Sequence, residues 1–80
     1  MNIKVLAFGV VRDIFSGPSI DLSVSHEPDV KSFKEDLEQQ YPRLRELASY
    51  LIAVNNEYAL PDRIISEKDE IAIIPPVSGG

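Results

Sequence analysis

The last six residues, Pro75-Pro76-Val77-Ser78-Gly79-Gly80, carry the group in this sequence with the clearest capacity for chemistry, an α-carboxylate on a terminal glycine. A carboxylate is inert until it is activated. Adenylation by a partner would make it an acyl-adenylate, after which a sulfur nucleophile could leave it as a thiocarboxylate. With Gly at about 7% of residues, two terminal glycines arise by chance about one time in two hundred, a modest signal alone that, with the proline pair before it, favours a built tail over a frayed end. The proline pair pre-sets φ and stiffens the exit. Glycine has no Cβ, so a Gly-Gly end passes through a channel too narrow for other residues. Six extended residues reach roughly 20 Å, enough to carry a carboxylate into a site buried in another protein.

Other chemistries find little support. The 80 residues include no cysteine and one histidine, His26, which lies in a polar, proline-containing stretch, so neither a thiolate nor an imidazole metal site is expected. No P-loop, HExxH or glycine-rich phosphate cradle occurs. Glu35, Asp36 and Glu38 fall on a helix face opposite its apolar stripe, and Glu67, Asp69 and Glu70 on a turn and a strand start. Both groups read as solvated carboxylates without the cleft that acid-base work requires. With no thiol in the chain, transferable sulfur could sit only on the terminus, although the same absence equally fits a protein that carries no sulfur. No active site of its own is expected.

A net charge of -5, from 8 basic and 13 acidic residues, argues against a nucleic-acid partner, because the Lys and Arg residues are scattered singly. The apolar start, Met1 to Gly9, is too short to span a membrane and has no basic flank or small-residue cleavage site, so the expectation is a cytoplasmic protein without a membrane partner. At 44% apolar and 26% charged, the composition is that of one ordinary small domain.

The elements that must position the tail are legible from periodicity. Asn2 to Phe8 reads as a strand with Ile3, Val5 and Ala7 on one face and Lys4, Leu6 and Phe8 on the outward one. Val10 to Phe15 has the spacing of a short helix, broken by Ser16-Gly17-Pro18. Ile20, Leu22 and Val24 alternate with polar residues as a second strand, paired with the first. Asp29 is placed to cap a helix with the stripe Val30, Phe33, Leu37 and Tyr41, and Pro42 starts a further short helix carrying Leu44, Leu47 and Ala48. Leu51 to Val54 is a strand, Asn55-Asn56 a turn, Tyr58 to Leu60 a short continuation of the sheet, and Glu70 to Ile74 the last strand. The order predicts an α+β domain over residues 1–74, a mixed sheet with helices packed on one face. With the first and last strands side by side it is the β-grasp, or ubiquitin-like, roll, and residues 75–80 form its extended tail.

The segments Ile3-Lys4-Val5-Leu6-Ala7-Phe8-Gly9, Val11-Arg12-Asp13-Ile14, Ala53-Val54-Asn55-Asn56 and the ending Asp69 to Gly80 resemble the small subunit of molybdopterin synthase. The resemblance spans nearly the whole chain, and its most specific part is the Pro-Pro-Val-Ser-Gly-Gly ending. It implies a β-grasp sulfur carrier whose terminal glycine, here Gly80, is adenylated by a ubiquitin-activating-type adenylyltransferase that uses ATP. This chain would bind no cofactor itself. Gly80 would become a thiocarboxylate, Gly79 the flexible link, and Pro75, Pro76, Val77 and Ser78 the part threaded into the large subunit. There the sulfur passes to cyclic pyranopterin monophosphate during molybdenum cofactor biosynthesis, in a heterotetramer of two large and two small subunits. Together with the strand alternation, the resemblance points to Phe8, Tyr58 and Ile74 as an apolar partner-binding patch, with Ile74 standing where relatives often carry an aromatic.

Three other readings fit parts of the sequence. A sulfur carrier for thiamine, cysteine or tRNA thiolation shares the Gly-Gly end but not the Pro-Pro-Val-Ser lead-in. A ubiquitin-like modifier would join Gly80 to a lysine of a target. A plain interaction module would have no use for the tail.

Overall fold

The computed structural model describes residues 1–24, 26–47 and 49–75. Strand β1 spans Asn2–Ala7 and buries Ile3, Val5 and Ala7, the alternate positions of its period of two. It pairs antiparallel with β2, Ser19–Ser23, in a register that sets Ile3 opposite Leu22 and Val5 opposite Ile20. Between them α1, Val10–Phe15, buries Val11, Ile14 and Phe15. It closes on Ser16, whose φ of 61° is left-handed, while the N–H of Gly17 returns to the Arg12 carbonyl at 2.9 Å. Within the Ser16-Gly17-Pro18 break expected from the sequence, it is Ser16 and not the glycine that takes the left-handed conformation.

Helix α2, Val30–Gln40, buries Val30, Phe33 and Leu37, the i, i+3, i+7 stripe of its sequence. The Asp29 side chain caps it by accepting from the Ser32 N–H at 2.7 Å. The N–H groups of Val30 and Lys31 bond to the carbonyls of Arg63 and Pro61, so the loop beyond the sheet satisfies the donors at the helix start. Helix α2 stops at Gln40 with Tyr41 as its C-cap, and Pro42 opens a tighter 3-10 turn, Pro42–Glu46, that buries Leu44. Tyr41 packs on Phe15 with ring centroids 4.8 Å apart, joining the two helical regions. Ala48, the last apolar residue expected in this second helix, lies outside the described residues.

Strand β3, Leu51–Val54, turns through Asn55 and Asn56, both left-handed at φ 54° and 70°, into β4. Two consecutive positive-φ residues form the tight hairpin turn that asparagine tolerates best. Because this turn occupies only Asn55 and Asn56, pairing resumes at once and β4 is Glu57–Tyr58, one residue earlier and shorter than the Tyr58 to Leu60 expected from the sequence. Strand β5, Ile71–Ile74, runs parallel to β1 and antiparallel to β3, giving the sheet order β2-β1-β5-β3-β4. The inward residues of β1, β2, β3 and β5 form one core with those of α1 and α2, completed by Leu44 and Ile65. The helices therefore cover one face of a mixed five-stranded sheet, and no described polar or charged residue is buried.

Two carboxylates stabilise turns at the ends of these elements, and their pKa values connect folding to pH. The N–H of Ser32, through the cap, holds the Asp29 carboxyl below the usual carboxylate range. Asp69 is lowered first by the N–H of Ser66 and then by the Asn55 amide. A depressed folded pKa contributes stability that is present above the unfolded value, about 3.9, and is lost as pH falls through the folded value. The urea midpoint should thus fall below about pH 4, and it should fall less steeply in the double variant Asp29→Asn/Asp69→Asn. Asparagine still caps helices. An unchanged acid slope in that variant would assign the effect to other carboxylates.

Candidate functional site

The face opposite the helices is bare, and its composition sets it apart from a solvated sheet. Register places Leu6 beside Ala72, Ala72 beside Ala53 and Ala53 beside Tyr58, a row that crosses four strands. The small alanines make a floor and the larger residues make walls. The result is a depression of about 350 Å³ bordered by Leu6, Phe8, Tyr58 and Ile74, with Asn56 and Glu70 at one end. Phe8 is 49% and Tyr58 68% exposed, which removes both from the core. Ile74 is half-buried and stands directly across from Leu51, itself 52% exposed. The structure thus brings Phe8, Tyr58 and Ile74 around one concavity; Leu51, which sequence reading left unassigned, stands beside Ile74 outside that lining and borders a separate groove with Val30, Lys34 and Tyr50. Its signal was the period of two in β3, where Leu51 shares the face of Ala53.

The asparagine turn is tied to the strand that leads to the tail. The Asn55 side chain accepts from the Glu70 N–H and donates to an Asp69 carboxylate oxygen, both at 2.9 Å, while the Asn55 N–H reaches the Glu70 carbonyl at 2.8 Å. The second Asp69 oxygen accepts from the Ser66 N–H at 2.9 Å. The segments Asn55-Asn56 and Asp69-Glu70, which carried part of the family resemblance, therefore form one hydrogen-bonded unit that holds the start of β5.

The acidic helix face is less uniform than its sequence implies. Glu35 and Asp36 are exposed, but Glu38 is half-buried, accepts a hydrogen bond from the Tyr50 hydroxyl and lies 3.6 Å from Arg45. Burial, and then this carboxylate, push the Tyr50 hydroxyl well above the ordinary tyrosine range. The Lys34 ammonium sits 5.0 Å from the Tyr50 ring centroid. These contacts join α2 to the segment entering β3 and occupy Glu38 structurally. Among the described residues, no group of three or more His, Cys, Asp and Glu is placed to hold a metal. No helix among them is long and apolar enough to cross a membrane.

Because β1 and β5 are parallel, both strands end at the same edge of the sheet. Phe8 and Gly9 come after β1 there, and Pro75 comes after β5. Gly9 adopts φ 54° and ψ -133°, a region that glycine alone enters readily, and a Cβ at that position would lie 3.0 Å from Cγ of Pro75. Of the expected tail residues Pro75 is half-buried against this edge. Pro76, Val77, Ser78, Gly79 and Gly80 lie outside the described residues.

A parallel central strand pair, helices on one face and an apolar opposite face together define a β-grasp domain of the ubiquitin-like kind. The chain belongs to the ThiS family, which it matches over residues 5–80, and shares the family of the molybdopterin synthase sulfur carrier subunits. It is 35% identical to the molybdopterin synthase sulfur carrier subunit of Arabidopsis thaliana over 100% of this chain and 84% of that one. It is 39% identical to that of Dictyostelium discoideum over 96% and 94%. Among solved structures, a Pyrococcus furiosus protein described as a putative molybdopterin converting factor subunit 1 superposes with a TM-score of 0.85, at 21% identity over 96% of this chain and 99% of that one. The small archaeal modifier protein 1 of Methanosarcina acetivorans gives 0.79 at 26% identity over 99% and 96%. A Helicobacter pylori chain, from the complex of subunits 1 and 2 of molybdopterin-converting factor, gives 0.69 at 22% identity over 100% of both chains.

Proposed function

We propose that this chain is the sulfur-carrying small subunit of a cytoplasmic molybdopterin synthase and that the α-carboxylate of Gly80 bears the sulfur. The observation that carries this reading is the likeness to named sulfur carrier subunits along the whole chain, through to the Gly-Gly ending. In the proposed cycle the Gly80 carboxylate attacks the α-phosphate of ATP on an adenylyltransferase and pyrophosphate leaves. A sulfur nucleophile at the oxidation level of sulfide then attacks the acyl carbon, and AMP leaves. Both reactions take place on partners, so this chain needs neither a bound cofactor nor a catalytic residue beyond the terminus. On the large subunit the thiocarboxylate sulfur forms a bond to a carbon of cyclic pyranopterin monophosphate as a carbon–oxygen bond of that carbon breaks and its oxygen leaves, and water then cleaves the acyl–sulfur bond, leaving the sulfur on the substrate and Gly80 as the carboxylate.

Docking would use the apolar face around Phe8, Tyr58 and Ile74, because a concave apolar patch beside the tail exit lets one partner grip the domain and receive the terminus together. The test is the intact mass of the chain before and after incubation with ATP, the adenylyltransferase and sulfide. The expected gain is the exchange of one oxygen for one sulfur, localised to Gly80. Likeness to a small archaeal modifier protein favours a second reading, in which activated Gly80 is joined to a lysine. An amide to protein amines in place of the thiocarboxylate would select it, and an unchanged mass with an active partner would exclude both.

A further inference from the structure

The proposed reaction requires more than docking, because a carboxylate delivered at the end of a tail must also enter a site in one direction. The edge where the chain leaves the sheet contains a device for this. Ile74 precedes a proline and is restricted to extended backbone, and the Pro75 ring fixes its own φ, so the ring's position sets the heading of the tail beyond it. That ring stands over Gly9, where even a single methyl would lie 3.0 Å from its Cγ, closer than packed carbon atoms rest. Gly9 holds the notch open in a backbone conformation, φ 54° and ψ -133°, that other residues strain to reach. Its neighbour in sequence is Phe8, a wall of the apolar depression. Two consecutive residues thus present a docking wall and a seat for the departing chain.

We infer that Gly9 is a positioning residue for sulfur delivery: by seating Pro75 it aims the tail relative to the face that docks. This rests on the carrier reading and separates two quantities that a merely structural glycine would not separate, the affinity for the large subunit and the rate of transfer once docked. Chemistry is sensitive to such aim, since a misplacement of about 1 Å can cost about a hundredfold in rate.

The experiment loads the chain with sulfur chemically, as a C-terminal thiocarboxylate, and measures dissociation constant and single-turnover transfer at saturating large subunit. Three variants are compared with the native chain: Gly9→Ala, Pro75→Ala and the double variant. Gly9→Ala should lower the melting temperature and slow transfer at saturation by at least about tenfold, with the dissociation constant moving less than about threefold. In the double variant the melting temperature stays low, because the backbone strain at residue 9 persists, while the transfer rate recovers toward that of Pro75→Ala, because the collision is gone. Should Gly9→Ala fail to fold, Pro75→Ala tests the seat without strain and should by itself slow transfer at saturation. Native transfer rates in Gly9→Ala or in Pro75→Ala, or a double variant no faster than Gly9→Ala, would overturn the inference and leave the carrier reading intact. A loaded native chain that transfers no sulfur to a competent large subunit would overturn both.

Discussion

Deleting Gly79 and Gly80 should abolish the transfer of sulfur while leaving the fold as stable as before. The truncated chain still ends in a carboxylate, now on Ser78, so the expected loss has two physical causes. The terminus falls short by roughly 7 Å, the extended length of two residues, far beyond the tolerance of a positioned reaction. The new terminal residue also carries a side chain where the proposed channel admits only hydrogen. Stability is indifferent to the change because the core closes with Ile71 and Ile73, well before the deleted residues. The measurement pairs a melting curve with the intact mass after incubation with ATP, the adenylyltransferase and sulfide. An unchanged melting temperature with no mass gain supports the assignment of Gly80. A truncated chain that still restores cofactor synthesis in cells lacking it would instead identify an interaction module whose tail is dispensable.

The parts of this fold that could be read from sequence are those whose signals are local. Val30, Phe33 and Leu37 announce α2 by spacing, and Asp29 announces its start because a cap needs only a side chain three residues from its donor. Alternation in β1 separates Ile3, Val5 and Ala7 from Lys4, Leu6 and Phe8, which locates both the core and the bare face. What sequence reading missed depends on residues brought together from afar. Tyr50 takes Glu38 out of the acidic helix face, and no spacing rule connects the two. Leu51 joins the apolar patch only through its register with Ile74. The reach of β4 depended on how much chain the turn consumes, and two adjacent left-handed asparagines consume very little. For the candidate site, Phe8, Tyr58 and Ile74 were nameable as apolar positions, but their convergence on one concavity needed the parallel pairing of the first and last strands. The contact of Gly9 with Pro75 joins opposite ends of the chain and had no sequence signal beyond the residue types themselves.

That convergence makes a second large effect predictable, the loss of partner affinity on truncating the walls of the depression. Phe8 lies outside β1 and half its surface is exposed, so Phe8→Ala removes contact area from the face with little cost to the core. An aromatic anchor at the centre of an interface commonly contributes about 2–4 kcal/mol, which corresponds to a dissociation constant weaker by roughly 30- to 1000-fold. Leu51→Ala should weaken binding as well, by a smaller factor, because Leu51 lies outside the depression but pairs with Ile74, which lines it. The informative control is Ile64→Ala. Ile64 is comparably exposed but is bridged to Asp29 at the start of α2, and it neither lines the depression nor pairs with a residue that does. Its replacement should leave affinity for the large subunit unchanged. If all three variants weaken binding alike, exposure and not position decides the effect, and the assigned face is wrong. If only Phe8→Ala and Leu51→Ala do so, with native melting temperatures, the bare side of the sheet is the grip by which a partner holds this domain while it takes the terminus.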